Sequence, residues 1–384
     1  MCQLHMNTSY RIIPCYTGDV SGVCSALFEL GGMVVIHDPS GCNSTYNTHD
    51  ETRWYDHDSL IFISGLAEID AVFGNDDKLI DDTVDAAMNL HPKFITLVNS
   101  PIPFLNGTDF EAICRVIESR TGIPTFYIPT NGMHDYVPGA GMALAEIARR
   151  FVASPQTKKD DTVNLLGVTP LDFAAEGSAD ALRRSVEHAG FSVNACWAMG
   201  ETLETLSKSG EAAVNLVVSA LGLPAAKVLR QRFGTPYVIG APLGSFSESV
   251  FAALRNAMET GENQFPLMER AGSDTSGVYA IGEPVTMGSV LAALDLPGTV
   301  LCALEGCEDL TDGNIIPVVG EEEAETALQD AKVVIADPLY RSIIPNGAKM
   351  IELPHEAFSG RCFRKSMKNL FTMDYNALRK EASL

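Results

Sequence analysis

The sequence predicts an α/β protein of three tandem doubly wound, Rossmann-like domains with parallel sheets, on three observations. Short β-branched runs alternate with amphipathic helices along the whole chain, the pattern of strands buried on both faces. Two polar gaps interrupt the alternation, and after each one it restarts. The 384 residues exceed what one hydrophobic core ordinarily organises, so two or three domains are expected.

The elements follow in order. A helix from Gly22 to Leu30 precedes the strand Met33–His37, which ends in the polar loop Asp38-Pro39-Ser40-Gly41-Cys42. Phe94–Val98 is a second strand, followed by the proline-rich loop Ser100–Phe104, the helix Phe110–Arg120 and the strand Thr125–Ile128. The first gap, Ser154–Thr162, carries Pro155. Beyond it come the strands Val163–Val168, Phe191–Asn194, Asn215–Ser219 and Tyr237–Gly240, with helices Ala179–His188, Leu221–Phe233 and Glu248–Thr260. The second gap, Arg270–Gly277, leads to the strands Val278–Ile281, Thr299–Ala303, Val333–Ala336 and Met350–Leu353. Their helices are Thr286–Leu294, capped near Thr286, then Glu321–Gln329 and a terminal segment Ser366–Leu384. The run Glu321-Glu322-Glu323 is expected to be a solvated first turn. The domains are therefore placed at 1–155, 160–268 and 275–384.

Apolar residues make up 46% and charged ones 20%, a globular composition without a disordered tract. A net charge of −22 disfavours nucleic acid and anionic lipid and suits a partner with a basic docking face. No run of eighteen apolar residues occurs and Met1–Arg11 lacks a secretory layout, so a cytoplasmic protein is expected. Its nine cysteines are then thiols, most of them core fillers. Gly240–Ser245 lacks both a dinucleotide fingerprint and a Walker lysine, so it is no nucleotide-binding loop.

In open α/β sheets, ligands bind beyond the carboxyl ends of the strands. The loops to inspect are Asp38–Thr45, Asn99–Gly107, Thr130–Pro138, Ser219–Leu223, Ala241–Ser245 and Pro354–Phe363. Two cysteines lie where chemistry is plausible. Cys15 stands in Pro14-Cys15-Tyr16-Thr17-Gly18, and Cys42 follows Gly41 at a strand end. Glycine lets backbone approach a bulky ligand, and loop thiolates suit iron–sulfur ligation. No CxxC pair points to zinc.

The stretch Cys15-Tyr16-Thr17-Gly18-Asp19-Val20-Ser21-Gly22, with His37-Asp38-Pro39-Ser40-Gly41-Cys42, resembles the start of nitrogenase component 1 subunits. Ile63–Leu79, with its Phe73-Gly74 step and Lys78-Leu79, is similar to the next family segment. Pro92–Ile95, Asn215–Val218, Phe233–Pro236 and Leu353–Gly360 extend the resemblance over nearly the whole chain. The same superfamily includes the dark-operative protochlorophyllide reductase and the nickel-tetrapyrrole reductive cyclase of methanogens.

The resemblance implies a component 1-type subunit that pairs with an identical or related subunit. It implies electrons from a separate ATP-hydrolysing iron–sulfur reductase, and reduction of a small organic substrate. Where family members take a third cluster cysteine, this chain has Ser100, expected to touch a cluster rather than ligate it. The positions of the nitrogenase cofactor ligands fall at Ser219 and Leu353, which implies that the chain does not fix nitrogen. A single 4Fe–4S cluster shared between subunits, on Cys15 and Cys42, fits this set. Cys24 is a further candidate ligand, weighed against a buried helix cysteine, and Asp38 is weighed against a turn former.

Asn131, His134 and Tyr136 lie in the loop that lines the substrate side in the family, and His134 is the candidate proton donor. His37, His49 and His57 are expected to be solvated or capping. Arg53 and Trp54, near the cluster helix by the resemblance, are expected either to pack there or to tune the cluster electrostatically, and His355 with Arg361 forms either an acid-binding or a plain surface pair. Two other readings share the fold: a cluster-assembly scaffold and a non-redox ligand-binding protein.

Overall fold

The computed structural model describes residues 15–39, 50–154, 157–267, 277–311 and 313–382. Three sheets follow one another along the chain. The first holds β1 (Met33–His37), β2 (Leu60–Ile63), β3 (Ile95–Asn99) and β4 (Thr125–Ile128), in spatial order β2-β1-β3-β4. The second holds β5 (Lys159–Leu166), β6 (Ser192–Cys196), β7 (Ala212–Val217) and β8 (Tyr237–Ile239), in order β6-β5-β7-β8. The third holds β9 (Val278–Ile281), β10 (Thr299–Cys302), β11 (Ile315–Pro317), β12 (Val333–Ala336) and β13 (Lys349–Glu352), in order β11-β10-β9-β12-β13. Every pairing between these strands is parallel. The doubly wound α/β class predicted from the sequence is the one observed.

Around the first sheet lie α1 (Asp19–Leu27), α2 (Glu68–Phe73), α3 (Asp77–Leu90), α4 (Pro101–Asn106), α5 (Phe110–Thr121) and α6 (Tyr136–Arg150). The second carries α7 (Ser178–His188), α8 (Leu203–Leu206), α9 (Leu223–Phe233) and α10 (Ser247–Thr260). The third carries α11 (Pro284–Ala293), α12 (Gly320–Ala327), α13 (Glu356–Ser359) and α14 (Tyr375–Ala382). No helix among the described residues is long and apolar enough to cross a membrane.

The central strands β1, β3, β9, β10 and β12 are buried at every position, because helices cover both faces. α6 is the axle of the molecule, packing against α1 on one side and α9 on the other. Two glycines permit the first crossing. A Cβ on Gly139 would stand 2.1 Å from the Asp19 carbonyl oxygen, and one on Gly22 would stand 2.3 Å from that of Tyr136.

Some expected boundaries moved for identifiable reasons. α11 starts at Pro284 because the cap is Glu283, whose carboxylate accepts from the Val285 and Thr286 amides at 3.0 and 2.7 Å. The segment expected to be helical from Ser366 is helical only over α14, where Asp374 caps by accepting from Asn376 and Ala377, each at 3.0 Å. The loop Ser100–Phe104 is largely α4, begun by Pro101. Glu321 is buried, while Glu322 and Glu323 are exposed, so only part of that acidic turn is solvated.

Candidate functional site

A doubly wound sheet opens a crevice where its strand order reverses. The reversals fall between β1 and β3, between β5 and β7, and between β9 and β12. The residues just beyond those strands are Asp38 and Ser100, then Asp172 and Ser219, then Glu283 and Asp337. All six are buried although polar or charged. Unsupported burial of such groups is costly, so their partners define the site.

Asp172 is the hub where the three sheets meet. The Tyr136 hydroxyl, at the start of α6, donates to its Oδ1 at 2.5 Å, and the Ser219 hydroxyl donates to its Oδ2. From the third sheet, His355 brings Nε2 to 3.3 Å from Oδ1, misaligned for a hydrogen bond. Neither ring nitrogen of His355 has a hydrogen-bond partner, and the ring stands edge-on to Phe358 at 5.0 Å. Burial, then the Asp172 charge, holds the Tyr136 phenol well above its ordinary value, so it remains a donor.

Glu283 ties the second sheet to the third by accepting from the Ala220 amide at 2.9 Å. Burial, and next the nearby Asp172, pushes its carboxyl up to about 7. Asp337 accepts from the His355 amide at 2.8 Å and the Ser359 hydroxyl at 2.7 Å, which fixes the turn carrying His355. Asp135 caps α6 and accepts from the Val137 amide at 2.9 Å and the Glu305 amide at 2.6 Å. Burial raises its carboxyl to about 7. Asp19 is held by the amides of Val20, Asn131 and Gly132 at 2.7, 2.9 and 2.9 Å.

The sequence-predicted residues fall as follows. Cys15 is half-buried, and its Sγ donates to the Ala357 carbonyl at 3.3 Å and the Thr17 carbonyl at 3.6 Å. Burial, then Asp135, raises its thiol well above the ordinary value. Gly41, Cys42 and His49 lie outside the described residues. Cys24 is fully buried inside α1, in the core. Ser100 Oγ is buried without a hydrogen-bond partner, and the Ser100 amide donates to the His37 carbonyl at 3.3 Å. Leu353 is buried.

His134 is exposed, with Nδ1 at 2.5 Å from Glu305 Oε2. It therefore sits at the mouth of the junction, whereas the histidine inside is His355. That corrects the expectation of a surface pair for His355; Arg361 is indeed exposed. His37 is likewise buried rather than solvated, with Nδ1 at 2.8 Å from Ser64 Oγ, and burial lowers its imidazole to about 4. His57 is exposed. Arg53 is clamped by Glu29 and Glu51, each at 2.8 Å.

Sequence reasoning missed Asp172, Glu283 and Asp337. The usable signal for the last two was a strand-end acid before proline, Gly282-Glu283-Pro284 and Ala336-Asp337-Pro338. Asp172 has no such mark.

Three parallel sheets that meet at one polar junction, the first through the start of α6, define an α/β protein with its candidate site between sheets. The sequence profile of nitrogenase component 1 type oxidoreductases matches residues 21–264, and the chain belongs to that family. One of the subunits of the light-independent protochlorophyllide reductase of Prosthecochloris aestuarii is 38% identical over 103 residues, 26% of this chain and 19% of that protein. The nitrogenase iron-molybdenum cofactor biosynthesis protein NifE of Clostridium pasteurianum is 25% identical over 241 residues, 58% of this chain and 52% of that one. The chain thus spans about half, or less, of the length of these curated relatives. The solved structure of nitrogenase Cp1 at pH 5 superposes with a TM-score of 0.65 at 16% identity, covering 99% of this chain and 92% of the other. That match bears on fold alone.

Proposed function

We propose that the chain is the component 1-type subunit of a nitrogenase-like reductase. In this reading it accepts electrons from an ATP-hydrolysing iron–sulfur reductase through a 4Fe–4S cluster shared with a partner subunit, and a small organic substrate is reduced. The observation that carries the reading is the sorting of thiols among the described residues. Of the seven described cysteines, five are buried; only Cys15 is half-buried and only Cys362 is exposed. Cys15 stands on a turn held by Tyr16 and Thr17 amides donating to the carbonyls of Phe358 and Ala357 in α13.

The donor set fits such a cluster. Cys15 and Cys42 would hold it, and the unpartnered hydroxyl of Ser100 suits a hydrogen bond to a cluster sulfur. When bound, the cluster would supply low-potential single-electron transfer. The chain's own part is different. Asp172 orients Tyr136 and Ser219 at the junction beside His355, and His134, at its mouth, is the group from which a proton would be drawn, with Glu305 holding its ring.

A docking face supports the partner. α2 and α4 lie side by side, with the Asn106 amide donating to the Ala71 carbonyl at 3.1 Å. They expose Val72, Phe73 and Leu105 at 74, 78 and 75%. An apolar patch beside Glu68, Asp70 and Asp77 suits a protein with an apolar contact face and a basic rim.

The match to NifE favours one alternative, a scaffold on which a cluster is assembled. The first experiment is anaerobic purification, with iron, sulfide and electron spin resonance measured in wild type, Cys15→Ala and Cys42→Ala. About two irons per chain, lost in either variant, is expected for a cluster bridging two subunits. Absence of iron after reconstitution, with candidate partner subunits present, would refute both redox readings. Turnover with the reductase then separates enzyme from scaffold.

A further inference from the structure

Cys302 and Cys307 take no part in the proposed function, yet they are built as a pair. Cys302 ends β10, and the chain turns back at Gly306, whose φ is +70°, to bring Cys307 beside it. The two thiols bond within a single turn: Cys302 Sγ donates to the Leu304 carbonyl at 3.7 Å and Cys307 Sγ to the Glu305 carbonyl at 3.6 Å. The Cys302 thiol is the largest influence on the Cys307 thiol, so the two side chains face each other across the turn. Both side chains are 2% exposed, but Glu305, Gly306 and Glu308 around them are exposed, so the pair lies one layer beneath solvent.

We propose that Cys302 and Cys307 form a redox-active dithiol that closes to an intramolecular disulfide by exchange with a low-molecular-weight disulfide. Cys307, nearer the exposed turn, loses its proton and attacks one sulfur of the oxidant. That S–S bond breaks and one small thiol leaves. Cys302 then loses its proton and attacks the mixed disulfide, releasing the second small thiol. Two protein thiols are oxidised by two electrons, the small disulfide is reduced by two, and both protons leave on the released thiols. Thiols bonded to two adjacent carbonyls of one short turn need little backbone movement to close. The contact with Cys302, and next burial, raises the Cys307 thiol well above its ordinary value. Exchange is therefore gated by opening of the turn rather than continuous.

The turn carries Glu305, which reaches across to His134 and Asp135 of the first sheet. Oxidation of the pair would thus be felt at the mouth of the junction. The inference stands independently of the cluster reading, since neither cysteine is assigned as a ligand there.

The test uses the native full chain, free of iron, equilibrated with mixtures of oxidised and reduced glutathione. Samples are quenched with acid, alkylated in denaturant and mapped by peptide mass spectrometry. A peptide joined through Cys302 and Cys307 should accumulate as the oxidised fraction rises and disappear on return to reduced glutathione. Cys24, Cys114 and Cys196 should remain alkylatable throughout. In Cys302→Ser and Cys307→Ser, the surviving cysteine should form at most a mixed disulfide with glutathione. Persistence of both thiols at every ratio would overturn the proposal. So would a disulfide that forms only in denaturant, or a joined peptide that pairs either cysteine with Cys15.

Discussion

Replacing Arg53 with alanine tests how the first and second sheets are held together. The guanidinium is buried and its donors are used in several directions. Nε and Nη2 reach the Glu51 carboxylate at 2.8 and 3.1 Å, Nη1 reaches Glu29 at 2.8 Å and the Ala198 carbonyl at 3.1 Å, and Nη2 reaches the Ser25 carbonyl at 2.8 Å. Its Cζ also lies 4.8 Å from the centre of the Phe28 ring. The carboxylates left behind are 7 and 1% exposed at Glu29 and Glu51, so water cannot replace the lost partner. Removing one side of such a buried pair costs about 3–5 kcal/mol. That is a large part of the ~5–15 kcal/mol that holds a native protein together. The control is Arg149→Ala, which breaks an exposed pair with Glu146 worth roughly 0–1 kcal/mol. The chain's two tryptophans, Trp54 and Trp197, adjoin Arg53 and Ala198 in sequence, so urea unfolding followed by fluorescence reports this region directly. If Arg53→Ala costs no more than Arg149→Ala, the assignment of Arg53 as a structural clamp is wrong.

Three other substitutions probe other parts of the argument. His37 is neutral when folded, with its imidazole lowered to about 4, whereas the unfolded chain takes up the proton near 6.5. It contributes stability that is fully present above pH 6.5 and is lost as pH falls to 4, roughly 3 kcal/mol in all; His37→Gln should flatten the urea-midpoint profile in that window. Glu283 runs the other way: its carboxyl, raised to about 7, favours the folded state below its unfolded value of 4.5, and that contribution is lost as pH rises through 7. Stability of Glu283→Gln, measured relative to wild type, should therefore improve from pH 4.5 to 7. An unchanged difference would place the carboxylate in water. Gly139→Ala puts a Cβ 2.1 Å from the Asp19 carbonyl oxygen and should cost at least about 1–3 kcal/mol by thermal unfolding, whereas Gly122→Ala, with nothing within 4 Å but a φ of +70°, should suffer only the smaller backbone penalty.

The parts of the fold legible in the sequence are those whose cause is local. Met33–His37, Thr125–Ile128, Val278–Ile281 and Val333–Ala336 were readable to the residue, because a run of buried apolar side chains between helices is its own signal. β2 was missed because Leu60–Ile63 is short and partly exposed and follows a polar stretch. α6 was missed altogether: its start lies in an expected loop, where Asp135 caps through an ordinary-looking Asp-Tyr-Val-Pro sequence. The site divides along the same line. Cys15, Ser100, His134 and Ser219 stand at strand ends or near glycines, and the predicted loops contain Ser100, His134, Ser219 and His355. Asp172 stands six residues beyond the end of β5, past Gly167, with no motif to mark it. Its importance comes from Tyr136 and Ser219, 36 and 47 residues away, a relation that only folding creates. His37 and His355 were misjudged for the same reason: the chemistry of a histidine is written in its sequence, but its burial is not.

The way Cys15 is held has a consequence for the order of events during synthesis. The amides of Tyr16 and Thr17 and the thiol of Cys15 all bond to the carbonyls of Ala357 and Phe358, and the Cys15–Ala357 contact joins residues 342 positions apart. A ribosome releases the first sheet long before it has made those carbonyls. Until residues 357 and 358 have emerged, the turn bearing Cys15 lacks these anchors, and the bonds of Tyr16 to Asp50 and of Asp19 to His134 hold its neighbourhood. Any group that Cys15 receives would therefore find its complete seat only after Ala357 and Phe358 are in place, which makes loading a late step.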